Sequence, residues 1–221
     1  MEQNLGRSVV VLAGGDAEGQ FLATALPGDA LVIAADSGAS LAARLGRRVE
    51  LLVGDLDSVS DDELAALEAS GTVIERHPVD KDETDLELAL DAAVRIGACR
   101  IDVVGGAGGR RSHDAANLAL ICSRRFATIP IRWWSGRALV VPVHDHVELD
   151  VTPGALVSLV PVGGDALDVR TSGLRWRLDG EPLPAGSTRG VSNVVEHTPI
   201  TIGLDSGTVV LIIDEAQEVR P

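Results

Sequence analysis

The chain has 221 residues, of which 45% are hydrophobic and 24% charged, with 24 Gly and 10 Pro. That is enough apolar side chain for the core of one large or two small domains, and it excludes disorder, a collagen repeat or a small disulfide scaffold. Lys and Arg number 19 against 33 Asp and Glu, and the formal charge of -14 argues against nucleic acid or an anionic membrane as partner, so an anionic substrate must be neutralised locally.

Glu2 and Arg7 precede a first apolar run, residues 9–13, that Gly14 and Gly15 cut too soon for a signal peptide, and no later run is long enough to span a membrane. Cys99, beside an apolar strand pattern, and Cys122, within an apolar helix pattern, read as reduced core residues, which makes the cytoplasm the default setting. Up to about residue 135, strand patterns at 9–13, 31–35, 51–53, 73–75, 101–104 and 129–134 alternate with helical patterns. Ser60 with Glu63 and Thr84 with Glu87 form capping boxes, and Gly71 and Gly97 close the helices they open. This rhythm predicts an α/β domain over residues 1–135 with a mostly parallel sheet, whose ligands gather at the carboxyl ends of the strands. From residue 136 to 221, Val-rich runs punctuated by Pro153-Gly154, Gly163-Gly164 and Ser206-Gly207 predict an all-β sandwich or barrel.

The strand ends carry the polar residues. Gly14-Gly15-Asp16 follows the first strand, and Asp36-Ser37-Gly38-Ala39-Ser40 the second. Gly54-Asp55-Leu56-Asp57-Ser58 follows the third, with two carboxylates of the kind that hold Mg²⁺ alongside phosphate oxygens. Next comes "DKDETD", residues 80–85, where acids at a helix start suit the macrodipole but Asp80 and Asp82 lie before the cap and repel each other. A cation shared with Asp55 and Asp57 would relieve that repulsion and leave Lys81 for a phosphate. "GGAGGRRSHDAAN", residues 105–117, offers glycines for close approach, amides at a helix start, and Arg110 and Arg111 for phosphate contacts; His113 and Asn117 share a helix face. The loop matches neither the Walker A nor the dinucleotide fingerprint, and no Ser-His-Asp elbow, cysteine nucleophile or zinc spacing is present. His144 and His146 flank Asp145 without a third ligand nearby and read as a solvated turn. Trp133 and Trp134, adjacent in a strand, point to opposite faces, so that one packs under a helix.

In order and spacing these motifs resemble the thiamine pyrophosphokinases, whose pattern runs "GDxDS", "DxxxTD" and "GGxGGRxDHxxxN" after an aspartate-glycine loop. Asp36 with Gly38, residues 54–58, Asp80 through Asp85, residues 105–110, His113 and Asn117 carry the likeness, and "TSGLRWRL" at 171–178 and "GVSN" at 190–193 are similar to the family's smaller β domain. The resemblance implies transfer of an intact pyrophosphoryl group from ATP to the hydroxyethyl oxygen of thiamine, and a homodimer whose sites are shared between subunits. It implies Mg²⁺ on Asp55, Asp57 and Asp85. It puts Asp80, Lys81, Arg110 and His113 along the phosphate path, with Asp36, Gly38, Gly108, Gly109 and Asn117 around the nucleotide. Ser192 and Asn193 would touch the thiamine pyrimidine, and the general base would be Asp85 or Asp57.

Trp176 is read either as a ring stacked on thiamine or as a core or interface residue, with alternation turning Arg175 and Arg177 to the other face. The chain departs from the family at Ser37 and Ser40, which replace glycine and asparagine, and at Ser112, which replaces the aspartate before His113. Ser37 implies a less strained loop than glycine permits, and Asp114 would face elsewhere on its helix. Two alternatives follow from these departures: a pyrophosphokinase acting on another small alcohol, such as a hydroxymethylpterin, and a non-catalytic nucleotide or thiamine diphosphate sensor.

Overall fold

The strands β1 (Arg7–Ala13), β2 (Leu31–Ala35) and β3 (Leu51–Gly54) bury nearly every residue, as strands covered on both faces must. The computed structural model describes residues 6–15 and 22–219, so the expectation for Asp16 lies outside the described residues. The chain divides into two compact units, Met1–Asn117 with Ile129–Gly136, and Leu118–Thr128 with Arg137–Pro221.

The first unit adds β4 (Val73–Arg76), β5 (Ala98–Val104) and β6 (Ile131–Ser135). Its strands run β6-β5-β1-β2-β3-β4, each parallel to its neighbour. After β1 the chain builds outward through β2, β3 and β4, then returns to the other side of β1 for β5 and β6. The loops leaving β1 and β5 therefore part in opposite directions and open a crevice at the carboxyl edge of the sheet. The helices are α1 (Leu22–Ala25), α2 (Gly38–Arg44), α3 (Asp61–Ala69), α4 (Asp85–Ile96) and α5 (Arg111–Ile121). Both predicted caps form: Ser60 Oγ accepts from the Glu63 amide and Thr84 Oγ1 from the Glu87 amide. The Glu63 carboxylate accepts from Ser40 Oγ at 3.1 Å, tying α3 to α2. Gly97 takes the left-handed conformation that ends α4.

The second unit holds the end of α5 and eight strands that pair antiparallel. Its strands are β7 (Ala138–Val143), β8 (His146–Leu149), β9 (Leu156–Pro161), β10 (Ala166–Ser172), β11 (Asp179–Leu183), β12 (Asn193–Val194), β13 (Ile200–Gly203) and β14 (Val209–Ile213). They pair in the orders β12-β9-β14-β7 and β11-β10-β13-β8. Along β13 burial alternates, with Ile200 and Ile202 fully inside, the mark of a sheet with one face in a core. The two-domain α/β plus all-β fold class expected from the sequence is the one observed.

Three local readings need correction, and the expectation of an unstrained Ser37 does not. Trp176 lies in a bend between β10 and β11, not in a strand, so alternation does not govern its neighbours and Arg175 lies over its ring, 5.7 Å from the centroid. Cys99 is exposed rather than in the core, because it stands at the start of β5 where its thiol meets the Gly6 carbonyl; Cys122 is buried, and burial pushes its thiol up to about 12. His144 is half-buried against Thr208 Oγ1 at 3.1 Å, so it is no freely solvated turn residue; burial and Arg124 lower its pKa. Ser37 has ordinary helical angles, φ -57° and ψ -6°, and the positive φ of the loop falls on Asp36 instead.

Gly38 is required for another reason. A Cβ there would sit 1.8 Å from the Leu12 carbonyl oxygen, so α2 approaches β1 more closely than any side chain allows. Gly38→Ala is expected to cost more than about 2 kcal/mol in urea denaturation, because backbone must shift to admit the methyl. Ser37→Gly should change stability by less than about 1 kcal/mol, since serine is unstrained at that position.

Candidate active site

Because β2 and β3 are neighbours in register, the loops that leave them lie side by side. Asp36 follows β2 with a φ of 46° and is fixed by its amide, which donates to the Val53 carbonyl at 2.9 Å. After β3, Leu56 also has a left-handed φ, 65°, and its buried side chain anchors the turn between Asp55 and Asp57. Non-glycine residues held this way carry strain that the surrounding packing must offset. The result is convergence: Asp36, Asp55 and Asp57 each bring a carboxylate oxygen within 4.8 Å of the others. Ser58 Oγ donates to Asp36 Oδ2, while Asp36 Oδ1 is buried with no hydrogen-bond partner among the described residues.

Lys81 answers part of this charge. Its ammonium lies 2.9 Å from both Asp55 Oδ2 and Asp85 Oδ1, the latter at the first position of α4. Burial opposes the Lys81 charge, but the hydrogen bonds it donates to Asp55 and Asp85 outweigh that and leave the pKa raised. The same hydrogen bond, with the Asp57 amide, holds Asp55 low. Asp57 has no such partner: the Asp55 charge first, then desolvation and the charges of Asp36 and Asp85, raise its carboxyl. The tightest carboxylate group is thus Asp36, Asp55 and Asp57. Asp85, expected beside Asp55 and Asp57 as a ligand, lines the same cavity and shares Lys81 with Asp55, and Asp36, expected near the nucleotide, joins the group because β2 pairs with β3.

Across the crevice, the backbone after β5 turns sharply at Gly105, with φ 81°, where a Cβ would meet the Ala13 carbonyl at 2.4 Å. Gly106 donates to the Gly14 carbonyl at 2.6 Å, and Asn117 Nδ2, on α5, donates to the Gly106 carbonyl at 2.7 Å. The loop then runs into the first turn of α5, whose free amides and helix dipole suit a phosphate.

These elements enclose a cavity of about 550 Å³ in the first unit. Of the predicted residues it takes in Asp36, Asp55, Asp57, Lys81, Asp85, Gly109, Arg110, His113 and Asn117. It does not take in Gly38, which is buried in helix packing, nor Asp80, Gly108 or Arg111, which are exposed. Asp114, expected to face elsewhere, lines the cavity beside His113, because the opening wraps the end of α5 and admits more than one side of its first turn. Exposed Val79 lines it as well, an apolar residue in a loop that no pattern in the sequence singled out. Three converging carboxylates, one with a buried unpartnered oxygen, are a donor set that fits a hard divalent cation such as Mg²⁺.

In the second unit, Asn193 is buried and mostly committed to its own loop. Its Oδ1 accepts from the Trp176 and Val194 amides, and its Nδ2 donates to the Trp176 carbonyl at 2.8 Å. Ser192 has a φ of 61°, and its amide donates to Ser158 Oγ. The Trp176 ring is 59% exposed.

The family profile described as "Thiamin pyrophosphokinase, catalytic domain" matches residues 23–132, and "Thiamin pyrophosphokinase, vitamin B1 binding domain" matches residues 146–209. The chain belongs to the thiamine pyrophosphokinase family. It is 26% identical to thiamine pyrophosphokinase of Bacillus subtilis over 169 residues, 72% of this chain and 75% of that protein. It is 28% identical to thiamine pyrophosphokinase 1 of Oryza sativa subsp. japonica over 178 residues, 75% of this chain and 66% of that relative. In fold it is similar to the crystal structure of the Bacillus subtilis enzyme, with a TM-score of 0.84, 23% identity, and coverage of 95% of this chain and 100% of that one. The yeast thiamin pyrophosphokinase structure gives 0.71 at 15% identity, covering 99% and 88%. The catalytic-domain profile covers most of the residues that line the cavity, and the vitamin B1 binding profile lies within the second unit.

A carboxyl with a raised folded-state pKa favours the fold as pH drops through that value and loses the contribution above it. At neutral pH the Asp57 charge therefore works against folding. Asp57→Asn is expected to raise Tm in metal-free buffer at pH 7. The gain should fade as pH falls to the ordinary carboxyl value, and Mg²⁺ should stabilise the variant less than the parent in the same thermal scans.

Proposed function

We propose that this chain is a thiamine diphosphokinase, an ATP-dependent diphosphotransferase that moves the terminal pyrophosphoryl group of ATP to the hydroxyethyl oxygen of thiamine and releases AMP. The acceptor oxygen attacks the β-phosphorus, the bond from that phosphorus to the oxygen bridging the α-phosphate breaks, and the hydroxyl proton leaves. The observation that carries this reading is the convergence of Asp36, Asp55 and Asp57 in one cavity with Lys81, Arg110 and the glycine loop before α5. Phosphoryl transfer asks a protein chiefly for positioning and charge neutralisation, and this set supplies both.

Asp55, Asp57 and Asp36 would hold Mg²⁺, with Asp85 close enough to join once Lys81 turns to phosphate. When bound, the ion neutralises the charge on the transferred group. Arg110 and His113 face the phosphates from the start of α5, and Asn117 keeps the loop beneath them in place. In the second unit, the face of Trp176 and the remaining N–H of Asn193 are the groups we assign to thiamine, with Arg175 as a competitor for the ring. We assign a homodimer in which a partner copy's second unit completes the cavity; exposed Leu156, Trp176 and Val191 support it. Free Cys99 and Cys122 support the cytoplasm as its setting, and no helix among the described residues is long and apolar enough to cross a membrane.

With Mg-ATP and thiamine, AMP and thiamine diphosphate are expected to appear in equal amounts by chromatography and to vanish with a chelator. Asp55→Asn should lower turnover on the order of 100-fold or more, the scale lost when a charge-stabilising group is removed from a transfer site. Binding of thiamine and ATP without any AMP would overturn the reading in favour of a sensor. AMP formed only when another small alcohol is added would move the assignment to that acceptor.

A further inference from the structure

The glycine loop is held from beneath by a residue that touches no substrate. Trp133, on β6, is 4% exposed, does not line the cavity, and donates its indole N–H to the Gly105 carbonyl at 2.6 Å. The Gly105 amide donates to the carbonyl of the next residue on β6, Trp134, at 3.1 Å. Gly106 is tied in the same way, its amide to Gly14 and its carbonyl to Asn117. All four polar backbone groups of Gly105 and Gly106 are thus consumed by the scaffold. The chain enters the cavity at Gly106 and Ala107 with its direction already fixed.

The Gly105 bond has no ready substitute. It is buried, and Gly105 is not among the residues that line the cavity, so losing the indole donor leaves a buried carbonyl unpaired. Gly105 can relieve that loss by rotating its peptide, because glycine has few forbidden angles. Rotation there would re-aim every amide from Gly106 to the start of α5.

We propose that Trp133 is a positioning residue for the nucleotide, which sets the aim of the phosphate loop through the Gly105 carbonyl. Trp134 provides the internal comparison. It is as buried as Trp133 and adjacent to it, but its indole donates to Asp102 Oδ1 at 3.0 Å, beside the Arg100 ion pair. Deleting the Trp134 donor costs the core at least as much, because its acceptor is a buried carboxylate, yet only the Trp133 indole holds the loop.

This rests on the proposed kinase reading for its nucleotide, and the test separates the two. Hydrogen exchange is measured on the substrate-free protein for Trp133→Phe and Trp134→Phe. Peptides covering residues 105–110 should exchange faster in the first and at the parental rate in the second. In steady state, Trp133→Phe should raise KM for Mg-ATP about tenfold, the scale of an unpaired buried acceptor, and leave KM for thiamine within about twofold. Trp134→Phe should leave both KM values at the parental level. If Trp133→Phe unfolds, replacement of Trp133 by benzothienylalanine keeps the ring shape and removes only the N–H, and should give the same pattern. Equal behaviour of the 133 and 134 variants, in exchange and in KM, would overturn the proposal. A parent chain without kinase activity would overturn the function reading, while the exchange data would still decide the clamp.

Discussion

The parallel pairing of β2 with β3 is the constraint on which the site depends. It brings the turn at Asp36 against the turn at Asp55 and Asp57, so that three like charges share a space a few ångströms across. Nothing in folding alone favours this. Two non-glycine residues, Asp36 and Leu56, stand in left-handed conformations to make it, and Asp57 is driven above its ordinary range by its neighbours. The opposing force is the packing below: Leu52, Val53 and Leu56 are buried in the sheet core and hold the turns in place. A local arrangement that costs stability and is kept by the rest of the fold is the expected signature of a preorganised site.

Charge balance explains the other half of the cavity. A chain with a formal charge of -14 repels an anion at long range, so attraction to a polyphosphate has to be made at contact distance. Lys81 is already engaged by Asp55 and Asp85, and each of those carboxylates is the natural partner of a metal ion. A cation arriving with the nucleotide would satisfy the acids and free the lysine for phosphate in the same event. Under the proposed function, the acids would thus favour a metal-bound polyphosphate over a bare one, a selectivity obtained from electrostatics.

The alternation of strand and helix patterns was legible in the sequence, because Val, Leu and Ile runs and hydroxyl caps are local signals. The motif residues at strand ends were legible for the same reason. What the sequence hid was adjacency. Asp36 and Asp57 stand 21 residues apart, and only the order β1-β2-β3 makes them neighbours, so Asp85 looked the better companion for Asp57. Trp133 was hidden too, since a tryptophan in a strand reads as core and its hydrogen bond to Gly105 spans a crossover. Asp114 was misplaced by helical-wheel reasoning, which describes the side of a helix but not a cavity that closes over its end. At Ser37 the substitution was a true local signal, since the residue is unstrained, but nothing in the sequence marked Asp36 before it as the one with the positive φ.

The second unit follows a different logic. Asn193 uses its amide to fix the backbone of Trp176, and Arg175 lies over the indole, yet the ring stays open to solvent. A large apolar surface held rigidly in the open has paid its ordering entropy in advance, and it gains most when a flat partner covers it. Arg175 lies over that ring, so a flat ligand would have to displace the guanidinium to cover the same face, and a cationic one would also meet its like charge.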